Sequence, residues 1–584
     1  MWVTEMSFSV ALLVLGALAA WAVYGGLFPK LQRKYALYWF AAGVFLSAAV
    51  LFFPIYKSEP DVGYVKAVLL SAFSSMQLFT LGCEFGVVRE GVIFGDINYQ
   101  IWAALLFVVA PVLTFGFVAS LFKDVFSHLR YRILFRRDVY AFSEMNEKSL
   151  YLAEDIRNNH PRAAIVFCDV FEEKEERFYE LNARAQKIGA ICFKKDILVT
   201  NFKRHSDKKR ISFFAIGEDE TENLVQTLKL IDLYKIRPNV YIYAFSCGVE
   251  GEVLTAHVDK GTVKLRRINE VRSLISRELY ENGKLLFDSA TQTEGNKKIS
   301  AVIVGMGNHG TEMVKALSWF GQMDGYDLEI NAFDRDPLAE ERFKTSAPEL
   351  MDEAHNGCAV DGEALYTIRI HGDADVESET FAQKIGSITD ASYVFVALGN
   401  DKMNINTAIR LRQRFEQMGL HPVIRAVVYN TQEKEALADI KNYRGQSYDI
   451  GFVGDLKSSY SEAVILNSEV EEAALARHLK WGAEEEFWAF EYNLRSSMAS
   501  AIHAKLKRDL GIPGIDKAPA DRTEEERQAL RRLEHRRWNA YMRSEGYVYG
   551  GTIEKSGRND LAKKHNCLVP FDELPLKEQE KDDD

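Results

Sequence analysis

Metal-binding and catalytic signatures are what this chain of 584 residues lacks. Its six cysteines, Cys83, Cys168, Cys192, Cys247, Cys358 and Cys567, form no CxxC pair and no His/Cys cluster at metal spacing. That pattern argues against a metal site and for reduced thiols. No HExxH, GxSxG or GxxxxGK[S/T] occurs, which removes the reactions that depend on those spacings. An excess of positive charge is missing as well. With 83 acidic against 72 basic residues the formal net charge is −11, which speaks against general nucleic-acid binding. Long apolar runs are nearly absent after residue 123, although overall hydrophobic content is an ordinary 47%. A chain of this length exceeds a single core, so three or more domains are expected.

What is present begins with apolar stretches at 7–28, 36–56 and 100–122, each long enough to cross about 30 Å of hydrocarbon. The first lacks the basic n-region of a signal peptide and is followed by further spans, so it reads as a retained helix. Residues 64–85 differ, because Ser71, Ser74, Ser75, Gln77 and Thr80 make one side polar. Lys123, Arg130, Arg132, Arg136 and Arg137 place the end of the last span inside, and Lys30, Arg33 and Lys34 place the first loop inside too. Either 64–85 is re-entrant or interfacial, or the first loop breaks the charge rule. Its polar face either lines a conduction path or packs against neighbouring helices. The segment FTLGCEFG is only a faint echo of TVGYG, so potassium selectivity is not read from it. The expectation is a transmembrane region of three or four helices over 1–123 and a basic juxtamembrane linker over 124–137.

Beyond the linker, β-branched runs alternate with helical stretches, the pattern of a doubly wound parallel sheet. In KISAVIVGMGNHGTEMVKALSWF a buried strand leads through Gly305, Gly307, Asn308 and Gly310 into an amphipathic helix. Glycines there permit a tight turn and close approach of backbone to phosphate, with the helix N-terminus adding positive potential. The next strand, LEINAFDRD, ends in Asp334 and Asp336, where a ribose-binding carboxylate belongs. The bland alternative is that the glycines serve packing alone. A weaker copy precedes it: DVYAFSEMNEKSLYLAEDI puts Ser143, Met145 and Lys148 where the glycines would stand. FFAIGEDE parallels VFVALGND, and RPNVYIYAF parallels HPVIRAVVY. Two Rossmann lobes are predicted, 138–283 with a degenerate loop and 297–480 with the complete one, separated in length by an insertion near KTSAPELMDEAHNG.

This arrangement resembles the RCK (regulator of potassium conductance) family of channels and transport regulators. The resemblance implies lobes that pair into rings, a homo-oligomer (a tetramer, with a dimer as second choice), and NAD or another adenine nucleotide at Gly305, Gly307, Asn308, Gly310 and Asp334 of the second lobe only.

Residues 484–584 carry WAFEYNLRSSMASAIHAKL, RRLEHRRWNAYMRSEGYVYG and KKHNCLVPFDELPLKEQEKD. Together these are similar to the RyR domain, the ryanodine-receptor repeat, here small and mainly α with a preceding helix. The likeness implies a sensor of nucleotide-derived signals, in prokaryotes often within defence systems. From the residues themselves, an exposed helix face would carry Glu534, His535, Arg536 and Arg537. Arg537 could hold a phosphate, Trp538, Tyr547 and Tyr549 could stack on a base, and Lys563, Lys564 and His565 could add charge. Equally, Trp538 and Tyr541 could be core and Glu534 and Arg537 a structural ion pair.

A Rossmann turn serves binding as readily as catalysis, and no nucleophile–base constellation accompanies it. The sequence therefore reads as a ligand-gated protein of a prokaryotic inner membrane with its soluble domains cytoplasmic, a non-enzymatic ion channel or membrane-perturbing effector driven by a small nucleotide-derived ligand. The alternatives are a non-conducting nucleotide-binding subunit of a potassium transporter and a membrane-anchored enzyme processing NAD or ATP.

Overall fold

Runs such as Ala-Val-Ile-Val and Tyr-Val-Phe-Val, buried along their whole length, are sequences that a parallel sheet covered by helices on both faces requires. A computed structural model describes residues 36–83, 86, 88, 95–121, 131, 136–170, 176–200, 202, 205–256, 258–353, 355–357, 366–437, 440–466, 468–551 and 557–582. The expected span 7–28, the first basic loop and most of the linker lie outside them. The chain divides into two units, Met1–Arg130 and Tyr131–Asp584.

The first unit contains helices Ala36–Lys57, Tyr64–Phe79 and Ile97–Leu121. Among the described residues, however, no helix is long and apolar enough to cross a membrane. Pro54 lies inside the first of these helices and Pro111 inside the third. Tyr64–Phe79 has only 16 residues. The expected transmembrane bundle, and with it the ion-channel reading and the inner-membrane location, is corrected accordingly. The polar side of Tyr64–Phe79 turns inward. Ser71, Ser74 and Ser75 are buried, the Tyr56 hydroxyl and Ser74 Oγ lie 2.6 Å apart, and Ser71 and Ser75 donate to carbonyls one turn back. On the outer faces, Val65, Leu69, Phe73 and Met76, and Ile101, Leu105, Val108 and Val112, stay exposed; apolar stripes of this kind mark contact surfaces.

In the second unit, β1 (Val139–Phe142), β2 (Ala164–Phe167), β3 (Ile191–Cys192), β4 (Ile211–Ala215), β5 (Val240–Phe245) and β6 (Lys264–Ile268) form an all-parallel sheet in the order β3-β2-β1-β4-β5-β6. The second sheet repeats that order. It joins β8 (Lys297–Val304), β9 (Tyr326–Phe333), β10 (Thr367–His371), β11 (Tyr393–Val396), β12 (Val423–Val427) and β13 (Ile450–Val453) as β10-β9-β8-β11-β12-β13, with the short β7 (Thr291–Gln292) antiparallel on β8. This is the doubly wound topology, and its strand order reverses between β1 and β4 and between β8 and β11.

The duplication extends to hydrogen bonds. Asn223 in the first lobe accepts from Gly217 N–H and donates to the Phe245 carbonyl. Asn404 in the second accepts from Leu398 N–H and donates to the Val427 carbonyl. The extra residues of the second lobe lie between its second and third strands, around the short Pro348–Met351 helix, where the insertion was expected.

The two lobes exchange elements. Helix Glu270–Asn282, which follows β6, sends Ile275 and Leu279 into one core with Leu317 and Phe320 of the second lobe. After β13, residues 456–466 return to the first lobe, where Tyr460, Ile465 and Leu466 pack with Phe142 and Phe245. The C-terminal residues add helices Glu491–Asp509 and Glu524–Ser544 and a small sheet of β14 (Val548–Tyr549), β16 (Lys564–His565) and β15 (Arg558–Asn559). Thr523 and Glu526 close a capping box at the start of Glu524–Ser544. Ile502, Leu533, Tyr541 and Leu568 share the core of the second lobe, so the C-terminal helices build part of that lobe's interior, while Phe487 and Ala501 pack with Ala474 in a small separate cluster.

Candidate functional site

A cavity of about 1140 Å³ opens over the C-terminal edge of the second sheet, where doubly wound folds bind ligands at the strand-order reversal. Its floor is the loop between β8 and helix Asn308–Phe320. Gly305, Gly307, Asn308 and Asp334 line it. Gly310 stands behind the loop.

The three loop glycines have different reasons to be glycine. Gly305 adopts φ +96°, and a Cβ there would lie 2.4 Å from the Ala397 carbonyl oxygen, so the turn itself demands it. At Gly310 a Cβ would lie 1.7 Å from the Gly305 carbonyl oxygen, which is the close approach of helix to loop. Gly307 has no such constraint. Its φ is −67°, and a Cβ would meet nothing within 4 Å. The protein's own packing leaves that space open, and bare backbone facing open space at a helix start can receive a phosphate group. No side chain caps the helix that starts there, so its terminal N–H donors are not closed by a cap.

Asp334 follows β9. Its Oδ2 accepts Met306 N–H at 2.6 Å and its Oδ1 accepts Asp336 N–H at 2.8 Å. A carboxylate has about four acceptor positions, so this anchor of the loop retains capacity for ribose hydroxyls. Thr311 Oγ1 donates to the Met306 carbonyl at 2.9 Å and fixes the loop from the other side. Across the cavity, the Tyr429 hydroxyl lies 3.3 Å from His309 Nε2. Burial pushes Tyr429 up to about 12 and lowers His309 below the ordinary imidazole value, so a neutral pair faces the ligand space near pH 7.

The far wall comes from the first lobe. Glu220, Cys247, Gly248, Asn269 and Arg272 line it, held by Glu220 Oε2 accepting from Cys247 N–H at 2.7 Å and by Asn269 accepting Arg272 N–H at 3.0 Å. Sequence reasoning missed these residues. No motif marks them, and only the lobe exchange brings them opposite the glycine loop.

The corresponding place in the first lobe is filled. Asn146 and Ser149 form a reciprocal capping box at the start of helix Glu147–Asn159. Met145 is buried in the core, Lys148 Nζ donates to Glu270 at 2.8 Å, and the Tyr460 ring stacks on Phe245.

In the C-terminal segment, Glu534, His535 and Arg537 do not form an exposed face; they are 6%, 1% and 2% exposed. The helix is covered on both sides, by the second lobe and by residues 565–582, which sequence periodicity did not reveal. Glu534 accepts from Ser500 Oγ at 2.7 Å, Arg537 Nη2 at 2.8 Å and Lys507 Nζ at 3.2 Å. Burial alone would raise its pKa, but Arg537, Lys507 and Arg477 hold it well below the usual carboxylate range. His535 Nε2 lies 2.8 Å from the Val569 carbonyl oxygen and its ring stacks on Trp538. Trp538, half-buried, meets His565 edge-on at 4.8 Å. Tyr547 donates to Asp560 at 2.7 Å, whereas Tyr549 and Lys564 are exposed on the neighbouring strands β14 and β16. Glu534 and Arg537 thus face each other inside, Tyr549 and Lys564 face out, and none of the eight lines the large cavity.

Among the described residues no group of three or more His, Cys, Asp or Glu side chains is arranged to hold a metal ion. No protein-family model matches the chain, and no curated protein matches it at a significant level.

Proposed function

We propose that this chain is a nucleotide-responsive regulatory protein whose second Rossmann lobe binds an adenine nucleotide, NAD or a related diphosphate, in the cavity between the lobes. The observation that carries the reading is Gly307: neither its φ nor its packing demands glycine, and its missing side chain leaves open space at the start of a helix on the cavity floor. The residues suit the group. Gly307 and Asn308 would receive the diphosphate, and Asp334 would receive ribose hydroxyls.

A regulatory role is favoured by where the loop helix leads. Asn308–Phe320 shares its core with helices Glu270–Asn282 and Glu524–Ser544, so a ligand seated on its N-terminus touches an element common to both lobes and the C-terminal segment. Only a ligand with different affinity for two arrangements of those elements shifts them. The RCK and RyR resemblances, which rest on motifs alone, agree with a ligand-sensing role; in this reading the C-terminal segment is the part that responds.

Native mass spectrometry of the purified protein tests the proposal. A retained or added adenine nucleotide should appear bound and chemically unchanged after incubation. Failure of NAD, ADP and ATP to bind overturns it, and turnover of any of them makes the protein an enzyme.

A further inference from the structure

Arg272 is the cationic side chain of the first lobe that lines the cavity opposite the glycine loop. It sits in the first turn of helix Glu270–Asn282, with its own N–H held by Asn269. Its guanidinium is only partly committed. Nε lies 3.1 Å from Glu312 Oε1, on the loop helix of the second lobe, and Nη2 lies 3.6 Å from Glu545 Oε1 of the C-terminal segment. Nη1 is buried and has no hydrogen-bond partner among the described residues. A buried N–H donor left unpaired on a charged group is costly, and the cavity that the residue Arg272 lines is a place from which an acceptor can come once the side chain turns toward it.

We propose that Arg272 is an anion-binding residue of this cavity, its Nη1 donating to a phosphoryl oxygen of the nucleotide held on the Gly305–Gly310 loop, so that the ligand bridges the two lobes. The inference rests on the nucleotide reading above and adds what that reading lacks, a contact from the first lobe. Guanidinium suits the task, being always charged and able to serve Glu312 and a phosphate together through its fork of donors. It also gives occupancy a route outward. A phosphate that takes a share of Arg272 weakens its hold on Glu312 and Glu545, and Glu545 is paired in turn with Arg495.

Calorimetric titration of the full-length protein with adenosine and with ADP separates the possibilities. Arg272→Gln should lower ADP affinity about tenfold or more, as loss of a charge-assisted bond does, while leaving adenosine affinity unchanged; the unchanged adenosine value shows that the cavity still folds. Arg272→Lys should recover part of the ADP affinity. Glu312→Gln, which releases Arg272 from its acidic neighbour, should hold or raise it. Wild-type and Arg272→Gln proteins with equal ADP affinity overturn the proposal and leave the nucleotide site standing. Equal loss of adenosine and ADP affinity overturns it too, since the residue then supports the cavity as a whole. No binding of either compound by the wild type overturns the nucleotide reading itself.

Discussion

Replacing Glu534 by glutamine keeps the side chain's shape and removes its charge, and the structure fixes what that should cost. Arg537 and Lys507, 2% and 0% exposed, would both be left without their carboxylate, and an amide N–H₂ would face a guanidinium. Removing one partner of a buried ion pair destabilises by about 3–5 kcal/mol. Lys507 tempers the figure. Burial already pushes it down to about 8, so it can shed its proton when Glu534 no longer compensates it, and the lower end, about 3 kcal/mol, is expected. Against a typical domain stability of about 5–15 kcal/mol that is a large loss. Because Leu533 and Tyr541 belong to the second lobe's core, it should appear as a shifted urea midpoint of the whole second unit. Combining Glu534→Leu with Arg537→Leu and Lys507→Met should recover much of the stability, since apolar residues replace a buried charge cluster without desolvation cost. A Glu534→Gln protein within about 1 kcal/mol of wild type, the range of an exposed pair, would refute the structural role and return these side chains to ligand binding.

Other substitutions separate loop, lobe and pH effects. Gly310→Ala places a methyl against the Gly305 carbonyl and should lower thermal stability by several degrees as well as abolish nucleotide binding; unchanged melting would mean the helix–loop contact is looser than described. Met145→Ala in the first lobe should leave nucleotide stoichiometry at one per chain, because a capping box and Tyr460 occupy its equivalent site, and a loss of binding would contradict that assignment. Burial, aided by Arg558, pushes His565 down to about 4. The unfolded chain therefore binds a proton between about pH 6.5 and 4 that the native one does not, and stability should fall as pH drops through that window. After allowance for partial exposure this slope amounts to about 2 kcal/mol. His565→Gln should flatten it in acid-titrated unfolding, and an unaltered slope would assign the effect to other histidines.

The glycine loop was legible because strand, turn and helix are adjacent in sequence and the φ of Gly305 is a local demand. The Asp334 anchor was legible for the same reason, at the end of the following strand. Arg272 was not, since its place in the cavity depends on a helix of one lobe packing on the other. The burial of Glu534 and Arg537 was hidden for a related reason: a helix covered on two sides shows charged residues at positions that periodicity assigns to solvent, and their mutual pairing is what permits the burial. The membrane-spanning expectation over 36–121 rests on apolar length alone; helices do form there, but among the described residues none is long and apolar enough to cross a membrane.

Gly307→Val separates nucleotide binding on the glycine loop from its packing. The substitution is compatible with φ −67° and its Cβ meets no protein atom within 4 Å, so the fold should be little affected while the new side chain occupies the space over the helix N-terminus. Calorimetric titration with NAD should show binding to the wild type and none to Gly307→Val, with identical thermal unfolding of the two unliganded proteins. Equal NAD affinity in both would mean that the Gly305–Gly310 loop does not hold the nucleotide.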